Sequence, residues 1–226
     1  MRDFNFNNFE NIYNFNYLND IDCDVHTKML NNFFKIYTNK DNLIVFDVGC
    51  NGGSFIKIIK NYCHSSDIHC FEPHPRLYEM ISNIYSDVNI NNFCVSDKDD
   101  FCDIFIPSIS VGLSSLINRP VFETLNNQEI IKYKVKCQTI DSYCIEKNIS
   151  KIDYLKIDVE GAEMMVLNGC KNMLENNKIL GGQFEIGQTL IDAGTSESEI
   201  IEFLMKYGYN ITYNISKNDV LFTLKK

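Results

Sequence analysis

Two stretches of the chain concentrate acids in a way that could do chemistry. Ile157-Asp158-Val159-Glu160-Gly161-Ala162-Glu163 sets three carboxylates where an apolar run ends and a helical pattern opens, with Lys156 two places before Asp158. Gln183-Phe184-Glu185-Ile186 closes a second apolar run in another acid. If the two runs are neighbouring strands, Asp158 and Glu185 converge. Converging carboxylates either move a proton to and from a substrate or hold a divalent ion such as Mg. Acids also favour the first turn of a helix, where free N–H groups and the positive dipole end meet them. That accounts for one or two of the three. It leaves Lys156, which alternates with Asp158 in a buried run and needs a charged partner there.

A third stretch is built for close approach. In Asp47-Val48-Gly49-Cys50-Asn51-Gly52-Gly53 the glycines let the backbone turn sharply against a ligand. Glu72 ends the next run, in Phe71-Glu72-Pro73-His74-Pro75. An acid about twenty residues past a glycine loop is placed to accept hydrogen bonds from both hydroxyls of a ribose; the other reading is an acid capping the helix that starts at Pro75. Ser96-Asp97 ends a further run, where polar groups can meet an adenine amino group or simply make a turn. Asn51 breaks the G-x-G-x-x-G dinucleotide fingerprint, and the Gly-Lys-Ser/Thr of a P-loop is absent. No Tyr-x-x-x-Lys pair supports the rival NAD-dependent sugar dehydrogenase or epimerase: Tyr207 is followed at the fourth place by Ile211, and Tyr133 by Cys137. A second rival, a non-catalytic binding module, would have no use for the acid cluster. His26, His64, His69 and His74 show no metal-ligand spacing; His74 falls in the crevice by position, and the other three read as structural or exposed.

These residues need a scaffold that brings strand ends together. Leu43–Val48 and Ile152–Ile157 read as buried strands, and Asp67–Phe71, Val88–Val95 and Ile179–Ile186 as further strands. Helical patterns over 54–62, 75–85, 139–147 and 162–168 alternate with them, the last stopped by Gly169 as a C-terminal glycine. A helix over 24–37 precedes them, capped by Asp24, with Met29, Phe33, Ile36 and Tyr37 on one stripe. Residues 101–106 and 133–137 read as strands flanking an irregular loop, 107–129, of the kind that serves as a lid or substrate-binding element. A helix over 197–207, capped by Thr195 or Ser196, leads to an antiparallel hairpin of 210–215 and 219–224 around Ser216-Lys217-Asn218. Alternation of this kind predicts an α/β fold, a mostly parallel sheet between two layers of helices. Residues 1–41 form an arm and helix ahead of one domain, 42–226.

Composition narrows the partners. With 226 residues and a net charge of -9, the chain can bury one sizeable core and lacks the basic footprint of a nucleic-acid or anionic-lipid binder. No apolar run approaches the ~20 residues that span a bilayer, and the polar start is unlike a signal peptide, so a soluble, cytoplasmic protein is expected. The nine cysteines are odd in number and show no C-x-x-C spacing, which predicts reduced, mostly buried thiols.

In order and spacing, residues 42–190 resemble the FkbM family of S-adenosylmethionine-dependent methyltransferases. The matching stretches are Phe46–Gly53, Phe71–Pro75, Val95–Asp97, Ser114-Ser115-Leu116, Thr139-Ile140-Asp141 and, most specifically, Leu155–Glu163. Cys50 stands where the family usually has a small residue. The resemblance implies a class I methyltransferase fold: a Rossmann-like three-layer sandwich with a seven-stranded sheet in the order 3-2-1-4-5-7-6, strand 7 antiparallel. It places the methionine part of S-adenosylmethionine over Asp47, Gly49, Cys50, Asn51 and Gly53, the ribose on Glu72 and the adenine near Ser96 and Asp97. It implies O-methylation of a small-molecule or glycan hydroxyl. Asp158 then becomes the general base, oriented by Lys156, Glu160 and Glu163, or else joins Glu185 in holding a metal.

Overall fold

The structure, a computed structural model, describes residues 20–63, 65–108, 111–124, 129–213 and 218–225. Most of the aromatic arm, His64 and the tip of the terminal hairpin lie outside the described residues.

Along the chain run α1 (Asp20–Ile36), β1 (Ile44–Val48), α2 (Ser54–Tyr62), β2 (Asp67–Phe71), α3 (Pro75–Ile84), β3 (Asn89–Asn91), β4 (Cys94–Val95) and β5 (Asp100–Pro107). A 3-10 turn (Val111–Leu113) leads into α4 (Val121–Thr124), β6 (Ile130–Gln138), α5 (Ile140–Lys147), β7 (Tyr154–Ile157), α6 (Glu163–Asn168) and α7 (Lys171–Glu175). The chain ends in β8 (Gly181–Glu185), α8 (Gln188–Asp192), α9 (Glu197–Lys206), β9 (Tyr209–Tyr213) and β10 (Asp219–Leu224).

The main sheet has the order β3-β2-β1-β7-β8-β10-β9, with β10 antiparallel to both neighbours and the other pairs parallel. Counting only the strands of this sheet along the chain, that is 3-2-1-4-5-7-6, the order the family resemblance implies. Side chains alternate between the two faces, as the pleat requires. Phe46, Val48, Leu155, Ile157, Phe184 and Phe222 join one apolar core with α5, α6 and α9. Val45, Ile68, Cys70, Tyr154 and Leu221 join the other, under α1 and α2. Met29, Leu30 and Phe33 of α1 are at most 1% exposed. Each such side chain contributes about 1.5–3 kcal/mol on burial, so α1 is part of the body.

Several expectations change. Asp24 lies inside α1 and does not cap it. The run 88–95 is divided: β3 extends the main sheet, while β4 pairs with β6 in a separate sheet of order β4-β6-β5. Gly169 follows the last residue of α6, as expected, but it is right-handed, φ -77, and so does not stop the helix by a left-handed turn. A Cβ there would stand 2.0 Å from the Ser96 carbonyl oxygen, and this close approach is what requires glycine. The expectation of reduced thiols fails at Cys102 and Cys137, which form a disulfide across β5 and β6. The other described cysteines with described side chains are free and buried. Ser196 caps α9 in a reciprocal capping box with Glu199. Short helices α7 and α8 have too few residues for a readable period.

Candidate active site

The carboxyl ends of β1, β2, β7 and β8 open into one cavity of about 310 Å³. One row of the sheet explains its floor. Asp47 pairs with Lys156 in the β1–β7 register, and Lys156 with Gln183 in the β7–β8 register. Their side chains therefore share a face. The Lys156 ammonium donates to Asp47 Oδ1 at 3.0 Å and to the Gly49 carbonyl at 3.3 Å, and lies 3.4 Å from Asp158 Oδ2. Lys156 and Asp47 are 4% and 0% exposed. Burial alone would lower the lysine pKa, but Asp47 and Asp158 more than offset it, and the net shift is upward. The lysine is thus a permanent cation tying the glycine loop to the acid cluster.

The loop turns through left-handed residues: Gly49 at φ 78, Asn51 at φ 45 and Gly53 at φ 77. Asparagine is among the few side chains that take this conformation without large strain. A Cβ on Gly49 would fall 1.8 Å from the Asp158 carbonyl oxygen, so glycine is needed there for the two strand ends to touch. Gly49 and Asn51 line the cavity. Cys50 turns into the core instead, a buried thiol pushed well above its ordinary pKa by desolvation. Glu72 lines the cavity from the end of β2, and its two oxygens accept N–H groups of Asn51 and His74, each at 2.9 Å. Burial pushes this carboxyl up to about 7 against those two bonds. Cys94 and Val95 of β4 reach the cavity wall, whereas Ser96 and Asp97 lie beyond it and the Ser96 hydroxyl donates to Asp97 at 3.2 Å. His74, expected in the crevice, is the N-cap of α3, and its ring accepts the Leu77 N–H.

At the far end, carboxylate oxygens of Asp158, Glu160 and Glu185 lie within 4.8 Å of one another. Burial, and then repulsion from Asp158, Glu160 and Asp219, pushes Glu185 up to about 8. Glu163 faces away: it accepts the Val159 and Gly161 N–H groups at the start of α6, and burial raises it to about 7. Glu160 sits at φ 55, a left-handed conformation costly for glutamate and typical of functional turns. Two contacts hold it there. The Ser115 hydroxyl donates to its carbonyl at 2.8 Å, and the Arg119 guanidinium donates to its carboxylate while lying 3.8 Å from Asp192.

Sequence reasoning missed Arg119 and misjudged His26. Arg119 comes from the irregular loop, next to a proline, with no local sign of its partners. His26, read as structural or exposed, lines the cavity from α1.

This fold, with a glycine loop and a buried acid at the first two strand ends, defines a class I methyltransferase domain. Residues 47–211 match the Methyltransferase FkbM domain, and the chain belongs to that family. It is 26% identical over 154 residues to the 2-O-methyltransferase NoeI of Sinorhizobium fredii (strain NBRC 101917 / NGR234), an overlap of 62% of this chain and 63% of that protein. The chain thus spans under two thirds of that relative's length. Among solved structures, the METTL16 MTase domain aligns with a TM-score of 0.51 at 8% identity, over 87% of this chain and 65% of that one. A precorrin-6y C5,15-methyltransferase from Geobacter metallireducens aligns at 0.47 and 10% identity, over 90% and 87%. At 8% identity the likeness to the METTL16 domain speaks for the fold alone.

The domain's cofactor is S-adenosylmethionine, and the cavity's residues fit it. Glu72 is held by two backbone N–H groups, and its remaining lone pairs would suit ribose hydroxyls. Phe71, Leu77 and Val95 supply an apolar wall beside it. The volume lies at the lower end of the range for cofactor-sized pockets. Among the described residues, no helix is long and apolar enough to cross a membrane.

Proposed function

We propose that the protein transfers a methyl group from S-adenosylmethionine to a hydroxyl oxygen of a sugar, a glycan or a related small molecule. One observation carries the reading: the glycine loop, Glu72 and the acid cluster all open into the same cavity. The relative's printed name, a 2-O-methyltransferase, supports oxygen as the acceptor atom.

The cofactor supplies an electrophilic methyl on a sulfonium. In this reading Glu72 takes the ribose hydroxyls and the stretch Asp47–Gly53 seats the methionine part. The adenine would lie toward Val95, with Ser96 and Asp97 behind that wall. Lys156 holds Asp47, the Gly49 carbonyl and Asp158 in one rigid unit. Asp158 receives the proton of the acceptor hydroxyl as the new C–O bond forms and the C–S bond breaks. Glu160 and Glu185, both pushed upward by burial, shape the field around that proton. Alignment of oxygen and methyl supplies several kcal/mol of the barrier reduction, and general-base action about 10²–10⁴ in rate. A divalent ion on Asp158 and Glu185 is the alternative way to acidify the hydroxyl; the proximity of their carboxylates is its support.

Comparative mass spectrometry of glycans from cells with and without the gene identifies the acceptor as the species that loses a methyl group. With that acceptor, Asp158→Asn should lower turnover about 100-fold or more while calorimetric affinity for S-adenosylmethionine stays within a few-fold. Near-normal turnover removes Asp158 from the role. Turnover that persists in chelator favours the base, and turnover restored only by added Mg favours the ion.

A further inference from the structure

We infer that His26 is an acceptor-side N–H donor of this site, delivered by α1 and fixed in one tautomer by Tyr154 and Gln183. The inference rests on the methyl-transfer reading of the cavity and adds a residue from outside the stretch that matches the family, 47–211.

A buried chain of hydrogen bonds holds the ring. The Tyr154 hydroxyl is fully buried and bonds Gln183 Oε1 at 2.8 Å. Gln183 Nε2 lies 2.7 Å from His26 Nδ1. Buried polar groups satisfy their donors, and that fixes every proton here. Among the described residues the Tyr154 hydroxyl has this one partner, so its proton goes to Gln183 Oε1. The amide nitrogen of Gln183 can then only donate, and His26 Nδ1 must accept. A flipped amide would leave the tyrosine proton without an acceptor at 0% exposure. A neutral imidazole that accepts at Nδ1 carries its proton on Nε2. Among the described residues Nε2 has no hydrogen-bond partner, it is not sealed off, and the residue lines the cavity.

The ring is immobile. It meets Phe55 edge-on, centroids 5.4 Å apart, and is 9% exposed. The charged groups facing it are Lys156 and Asp158. Burial first, and Lys156 second, hold its pKa down at about 4, so the ring is neutral at pH 7.

The geometry of an attacking hydroxyl gives such a donor a use. The hydroxyl has one proton and two lone pairs. The proton goes to Asp158 and one lone pair attacks the methyl. The second lone pair accepts from His26 Nε2–H, which sets the rotation of the oxygen. His26 is thus a positioning residue for the nucleophile.

Long-range 1H–15N correlation spectroscopy on the full chain, with His26 assigned by its loss in His26→Asn, tests this. At neutral pH the expected pattern is a protonated Nε2 and an unprotonated Nδ1. Gln183→Glu should reverse it, because a carboxylate accepts from Nδ1–H. The opposite tautomer or an imidazolium in the wild type overturns the inference. The probes for placement are S-adenosylhomocysteine and a cofactor analogue with an amine in place of the sulfonium methyl. The His26 Nε2 resonance should shift with the amine analogue and stay put with S-adenosylhomocysteine. If both bind and His26 responds to neither, the acceptor-side placement is wrong. If neither binds, the methyl-transfer reading fails and takes this role with it, while the tautomer result stands separately.

Discussion

Lys156→Met removes the ammonium and keeps most of the stem, and its cost can be worked from the structure. Asp47 is 0% exposed, its Oδ1 rests on Lys156 at 3.0 Å and, among the described residues, its Oδ2 has no hydrogen-bond partner. Without the lysine the carboxylate is an isolated buried charge, which proteins avoid by taking up a proton. Protonating a carboxyl of ordinary pKa, about 3.9, at pH 7 costs ~4 kcal/mol at ~1.36 kcal/mol per unit. Removing one partner of a buried ion pair costs about 3–5 kcal/mol, so the two routes agree. The sign with pH follows. In the variant the folded-state pKa of Asp47 is raised, so its stability is full at low pH and falls as pH rises. The deficit against wild type should shrink to ~1.5 kcal/mol near pH 5. Urea unfolding followed by circular dichroism at pH 5 and pH 7 measures both values. Asp47→Asn with Lys156→Met removes both charges and should recover most of the loss. A single-variant loss below ~1 kcal/mol at pH 7, or a double variant no better than the single, would refute the reasoning.

Three further outcomes are expected. Burial raises Glu72 and Glu163 to about 7 and Glu185 to about 8. The folded chain then holds protons that the unfolded chain has lost above pH ~4.5, so wild-type stability should fall from pH 5 to 8 by several degrees in Tm. A thermal scan showing the reverse trend contradicts it. Gly169→Ala should cost about 1–3 kcal/mol or more through overpacking against Ser96, and Gly169→Asn should rescue nothing; a stable Asn variant in urea titration would restore the capping explanation. Alkylation of the unfolded, unreduced chain should leave Cys102 and Cys137 unmodified, and replacing both with serine should cost ~2–4 kcal/mol. Complete alkylation without reductant removes the disulfide.

The strands that build the site were legible because buried parallel strands are short continuous apolar runs. β1 and β2 lie where their runs end in glycine and acid, and α2 begins at Ser54 as its pattern predicts. The separate sheet was not legible. Cys94 and Val95 continue the β3 run in sequence, and only their pairing with Cys137 and Gln138 moves them elsewhere. The same pairing of β5 with β6 brings Cys102 against Cys137, 35 residues apart, which no spacing motif announces.

By itself the sequence determined which chemistry-bearing residues are present: a glycine loop without the dinucleotide pattern, an acid at the next strand end and an acid cluster after a buried lysine. Each is a short-range pattern, set by what a strand end and a helix start require of adjacent residues. Tertiary structure decided who meets whom. The register of β1, β7 and β8 put Asp47, Lys156 and Gln183 in one row, the packing of α1 added His26, and the loop at 111–124 brought Arg119 onto Glu160. Those contacts join residues tens to more than a hundred positions apart, and their partners are chosen by the geometry of the sheet, which no local pattern carries.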